Sequence, residues 1–113
     1  MRSAQSTLAV DVEQDGGTVR VRLTGELDVT SSPLLQTVVD QAVCRRGRAC
    51  KVLVVDMSGV AFADASGLTP ILMARGLLAR HGGRVELWHC RRGVLRILRI
   101  LGLDELCMPA PAA

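Results

Sequence analysis

The run Val52-Leu53-Val54-Val55 constrains the fold of this chain more than any other feature. Four consecutive apolar residues, three of them β-branched, leave no polar face for water, so they suit a strand buried on both sides in the middle of a sheet. The chain before it follows a different rule. Leu8, Val10 and Val12 alternate with Ala9, Asp11 and Glu13, and Val19, Val21 and Leu23 alternate with Arg20, Arg22 and Thr24. Such alternation marks strands with one face inward. Asp15-Gly16-Gly17 between them is a turn signal, and the two segments, Leu8 to Gln14 and Thr18 to Gly25, read as a β-hairpin.

Helical spacing takes over afterwards. Leu34, Leu35, Val38, Val39, Ala42 and Val43 predict an amphipathic helix ending near Arg46-Gly47. Thr30, Ser31 or Ser32 can cap it, with Pro33 in its first turn. Ser58-Gly59 reads as the end of the central strand, and Val60 to Ala63 as a crossing to Asp64. A second helix begins at Asp64 to Gly67, runs to about Arg80 and stops at Gly82-Gly83. Arg84 to Trp88 reads as a strand, and Gly93 to Leu101 as a helix with Val94, Leu98 and Leu101 inward and Arg92, Arg96 and Arg99 outward. Strands alternating with helices imply right-handed crossovers and parallel pairing. The expectation is an α/β fold: a small mixed sheet, N-terminal hairpin followed by β-α-β units, flanked by helices. At 113 residues the chain makes one domain, with a core over about 8–106 and a tail over 107–113.

Composition excludes several functions. Aromatic residues make up 2% of the chain, Phe62 and Trp88 alone, which is thin material for stacking bases, so no direct nucleic-acid binding is expected. No apolar run is long enough to insert in a membrane, and Met1 to Gln14 lacks the apolar centre of a signal peptide, which points to the cytoplasm. Of 14 cations, 11 follow Cys44. A basic C-terminal half can favour an anionic partner or simply form a solvated arginine face. Cys44, Cys50, Cys90 and Cys107 contain no C-x-x-C, and His89-Cys90, read as strand neighbours, would point to opposite faces. Neither a metal nor a cofactor is expected, and the thiols should be reduced and mostly buried.

Catalytic patterns also fail. G-x-S-x-G would need glycine where Asp64 and Leu68 stand, and no phosphate-binding P-loop occurs. Asp56 and Asp64 have no nucleophile or base placed with them. The chain is not expected to be an enzyme. Asp64 is suited to cap the helix it opens, with Ser66 in the first turn among backbone N–H groups that lack intrahelical partners. That is either ordinary capping or a place where phosphate is tolerated.

The segment Asp56-x-Ser-Gly-Val-x-Phe-x-Asp64-x-Ser-Gly-Leu68, with Gly25-Glu26-Leu27-Asp28 before it and Gly102-Leu103-Asp104 after it, resembles the STAS domain of bacterial anti-sigma factor antagonists. The resemblance runs from about Leu8 to Leu106. It implies a small mixed sheet flanked by helices, in agreement with the periodicity. It also implies a partner, an anti-sigma factor with a serine-kinase fold: the unphosphorylated antagonist binds it and so frees a sigma factor. Phosphorylation by that kinase breaks the complex, and a phosphatase restores it. In regulated members the acceptor is the Ser or Thr after the motif aspartate, a position held here by Ala65. Either Ser66 or Thr69 takes over, or the protein is not switched at this loop. Pro70 also removes an N–H from an early turn of the helix.

The expected partner surface comprises Glu26, Asp28, Ser58, Val60, Phe62, Asp64, Ser66 and Thr69. Asp28 and Asp64 would meet cations, with Val60 and Phe62 as apolar anchors. Against this, Phe62 can be core, and Glu26 and Asp28 can serve the turn. Two other readings use the same fold: an accessory subunit of a membrane transporter contacting an ATPase, and a weak nucleotide-binding module at the start of the Asp64 helix. Oligomeric state does not follow from these residues.

Overall fold

A computed structural model describes residues 8–43 and 50–109. The elements are β1 (Ala9–Asp15), β2 (Thr18–Leu27), α1 (Ser32–Val43), β3 (Val52–Ala63), α2 (Ala65–Ala79), β4 (Arg84–Trp88), α3 (Arg92–Ile100), a 3₁₀ turn (Asp104–Leu106) and β5 (Cys107–Met108). They build one five-stranded sheet in the order β1-β2-β3-β4-β5. The β1–β2 pair is antiparallel, and the β2–β3, β3–β4 and β4–β5 pairs are parallel. Hairpin, helices and mixed sheet therefore stand as the sequence pattern implies. The end of the first helix near Arg46-Gly47, Cys44 and residues 110–113 lie outside the described residues.

Parallel pairing fixes where the core sits. Val19, Val21 and Leu23 of β2, Leu53, Val55 and Met57 of β3, and Val85 and Leu87 of β4 point to one face. There they join Leu35, Val39, Leu68, Ile71, Leu78, Val94 and Leu98 from the helices in a single cluster. The opposite face carries Arg20, Arg22, Val54, Asp56, Glu86 and Trp88. Val54 is buried, as expected, yet it lies outside the helix-covered cluster. Arg20 and Trp88 flank β3 from opposite sides, and the guanidinium sits 4.9 Å from the indole centroid, so their contact closes over the strand at Val54. Arg22 pairs with Asp56 at 3.7 Å in the next row.

Four readings of the sequence need correction. Ser58-Gly59 does not end the strand: β3 continues to Ala63, and its register with β2 slips between Arg22 and Thr24 and again between Gly25 and Glu26. Gly59 marks a bulge. A Cβ there would lie 2.7 Å from the Leu23 carbonyl oxygen, so the glycine permits the two backbones to touch. Cys107 and Met108, read as tail, form β5 against Leu87 and Trp88. His89 is not a strand residue; it turns the chain with φ of 59°, so His89 and Cys90 do not alternate across a sheet. Finally, Val12, Leu34 and Leu101, read as inward, are 46%, 40% and 36% exposed.

Candidate partner-binding site

The site is assembled where β2 and β3 end and α2 begins. Asp64 has the extended backbone of a helix cap, and its Oδ1 accepts from the Gly67 amide at 3.0 Å. Its own amide donates to the Leu27 carbonyl at 3.0 Å, which fastens the start of α2 to the end of β2. Gly67 completes the junction. A Cβ there would fall 2.1 Å from the Leu27 carbonyl carbon and 2.4 Å from the Asp28 nitrogen, so only glycine lets the first turn approach this closely.

Asp28 is occupied locally. Its Oδ1 accepts from the amides of Thr30 and Ser31, each at 3.0 Å. Ser31, immediately ahead of α1 and buried, turns its hydroxyl back to donate to the Glu26 carbonyl at 2.8 Å while accepting from the Asp28 amide at 3.0 Å. Asp28 thus serves the turn, the second of the two roles open to it. Glu26 is exposed beside Phe62 in the β2–β3 register.

The apolar candidates separate cleanly. Val60 is fully buried and belongs to the core, so it cannot anchor a partner; the bulges in β3 turn it inward. Phe62 is 49% exposed. Ser58 is exposed; its amide donates to Asp56 Oδ1 at 3.0 Å, and its carbonyl accepts from Arg91 Nε at 3.1 Å. Burial pushes the Asp56 carboxyl up, but hydrogen bonds from Ser58 and the charges of His89 and Arg22 more than offset this and hold it below its ordinary value.

On α2, Ala65, Ser66 and Thr69 are all exposed. The Thr69 hydroxyl donates to the Ala65 carbonyl at 3.0 Å. Pro70 sits inside the helix and is buried; lacking an N–H, it leaves the Ser66 carbonyl without its usual donor one turn on, and α2 nevertheless runs unbroken to Ala79. No group of three or more His, Cys, Asp or Glu residues capable of holding a metal occurs among the described residues.

A family model described as "Mlab, STAS domain" matches residues 10–109. The chain belongs to the STAS-domain family. It is 33% identical over 99 residues to the anti-sigma F factor antagonist of Paenibacillus polymyxa, covering 88% of this chain and 83% of that protein. With the anti-sigma-B factor antagonist of Bacillus subtilis (strain 168) the identity is 26% over 97 residues, covering 86% and 85%. Among solved structures, the anti-sigma factor antagonist SpoIIAA in its unphosphorylated form superposes with a TM-score of 0.78 at 25% identity, covering 88% of this chain and 86% of that one.

Several residues of this STAS domain's surface escape sequence reasoning. Val29 and Leu34, at the entry to α1, are 71% and 40% exposed, and Leu72 and Met73 on α2 are 47% and 54% exposed. Ala65, Ser66, Thr69, Leu72, Met73, Gly76 and Ala79 are the exposed residues of α2, and none carries a charge; Arg75, at the edge of that row, is half-buried and paired with Glu105. A signal was available: the helix sequence ASGLTPILMARGLLA is apolar on nearly every side, whereas a helix lying on a sheet needs only one such side.

Proposed function

We propose that this STAS domain is an anti-sigma factor antagonist: in the cytoplasm it binds an anti-sigma factor of serine-kinase fold and so frees a sigma factor to direct transcription. It acts by competition, without catalysis. The observation that carries this reading is the uncharged exposed row of α2, with Leu72 and Met73 open to solvent, together with Phe62, which is exposed near the end of β3 two residues before the Asp64 cap. Exposed apolar residues grouped this way favour burial against another protein. Similarity to antagonists over most of the chain names the kind of partner.

Phe62, Leu72 and Met73 provide the apolar contact, while Glu26, Ser58, Ser66 and Thr69 form its polar margin. Asp64 positions the helix start. Ala65 stands where regulated members carry the acceptor hydroxyl, so the complex is not dissolved by phosphorylation at that residue. Asp64 already occupies the Gly67 amide with a carboxylate, which disfavours a nucleotide phosphate at the same place. The test is calorimetric titration of the purified protein against a kinase-fold anti-sigma factor from the same organism. Saturable binding that Leu72→Ser and Met73→Ser together weaken supports the proposal. Absence of binding, with association to a transporter ATPase instead, refutes it.

A further inference from the structure

The sulfurs of Cys90 and Cys107 lie 3.5 Å apart, in hydrogen-bond contact, although 16 residues separate them in the sequence. Cys107 opens β5 and is buried, and Cys90 is half-buried in the corner between β4 and α3. The backbone at Cys107 is held on both sides. The Cys107 amide donates to the Asp104 carbonyl, and β5 pairs with Leu87 and Trp88. Next to Cys90, Arg91 Nε donates to the Ser58 carbonyl at 3.1 Å. A disulfide needs its sulfurs about 2.05 Å apart, so the two sulfurs, already in contact at 3.5 Å, have on the order of 1.5 Å to close.

We propose that Cys90 and Cys107 are a redox-active dithiol that a peroxide closes to an intramolecular disulfide. The half-buried Cys90 sulfur attacks one peroxide oxygen; the O–O bond breaks, a first water leaves, and a sulfenic acid remains. The Cys107 sulfur then attacks the Cys90 sulfur. The S–S bond forms, the S–O bond breaks, and the hydroxyl departs with the Cys107 proton as a second water. Two thiols have lost two electrons and two protons, and the peroxide has been reduced to two waters. Burial pushes both thiols above their ordinary value, which makes the pair a slow responder to sustained oxidant. Closure joins β5 to the corner that bears Arg91, and through Arg91 to Ser58. Cys50 is different: it is buried, and its thiol donates to the Val52 carbonyl at 3.4 Å.

The experiment treats the reduced full chain with hydrogen peroxide and reads intact mass, digested peptides and thermal melting. The expected product is a monomer about 2 Da lighter with a Cys90–Cys107 peptide, restored by dithiothreitol. Its melting midpoint should rise by on the order of 10 °C, because the link closes a loop in the unfolded chain. Cys50→Ser should keep the mass loss, and both Cys90→Ser and Cys107→Ser should abolish it. Because Cys90 is half-buried, its serine variant serves as the control should Cys107→Ser fail to fold. Gains of about 16 or 32 Da without the loss, a bridge through Cys44 or Cys50, or covalent dimers would each overturn the proposal.

Discussion

Gly67 is pressed against Leu27 so closely that a side-chain carbon on it would overlap the Leu27 carbonyl, at 2.1 Å from the carbon and 2.2 Å from the oxygen. This contact sets the distance between α2 and the end of β2, and with it the placement of Ser66 and Thr69 relative to that strand end. Gly67→Ala should therefore push the helix start outward. We expect a loss at the upper end of about 1–3 kcal/mol in urea denaturation, the range for overpacking a closed site. Binding to the anti-sigma factor should fall with it. An alanine variant of unchanged stability would mean that the junction is looser than described.

The two faces of β3 should respond differently to charge. Val55 lies in the helix-covered cluster, and Val55→Asp buries a carboxylate with no partner, at a cost on the order of 3–5 kcal/mol or more. Val54 faces the side of the sheet where Arg20 is its cross-strand neighbour. An aspartate there has a cation at hand, so Val54→Asp should fold with a loss of about 1–3 kcal/mol. Circular dichroism melts of the two variants check this, and equal damage from both would contradict the one-sided helix layer.

How legible this was in the sequence depends on the residues. The central strand, the hairpin and the bounds of β4 follow from periodicity, because burial on one or two faces writes itself directly into alternation. Ser58-Gly59 misled for a physical reason: glycine that ends a strand and glycine that lets a strand bulge leave the same local signature, and only Leu23 and Thr24 across the ladder decide between them. Val60 and Phe62 show the same limit. Two residues apart on a strand they should share a face, but a bulge between them breaks the rule, so one is core and the other exposed. Cys107-Met108 is too short to show a period. The start of α2 was the most readable part of the site, since Asp64 and Gly67 act through local hydrogen bonding and close approach.

Acid should destabilise the protein through Asp56 and Glu86. The Trp88 indole N–H donates to Glu86 at 3.1 Å and, against some burial, holds its carboxyl below the ordinary 4.5 with help from Arg84; Asp56 is held below 3.8. A carboxylate whose folded value is depressed stabilises the fold above its unfolded value, and that contribution fades as pH falls through the folded one. Stability measured by urea denaturation should hold down to about pH 5 and decline below it. The double variant Asp56→Asn, Glu86→Gln should be less stable at neutral pH, with a shallower acid decline. An unchanged acid limb would show that these carboxylates do not contribute.

Phe62 should matter for binding and little for folding. With the residue 49% exposed, Phe62→Ser should change stability by about 0.5 kcal/mol or less. If it is an anchor, affinity for the anti-sigma factor should fall by roughly 30-fold, equivalent to about 2 kcal/mol. Titration calorimetry beside a denaturation curve separates the two effects, and a destabilised Phe62→Ser with unaltered affinity would return the ring to a structural role.

The central claim, a binder of a kinase-fold anti-sigma factor that phosphorylation at the usual position cannot release, is tested most directly by incubating the two proteins with magnesium and ATP. Native mass spectrometry then follows complex and adduct together. The account predicts that the complex persists and that the wild-type chain gains no phosphate, whereas Ala65→Ser gains one, about 80 Da, and dissociates. A phosphate on wild-type Ser66 or Thr69 accompanied by dissociation would contradict it, and so would the absence of any complex before ATP is added.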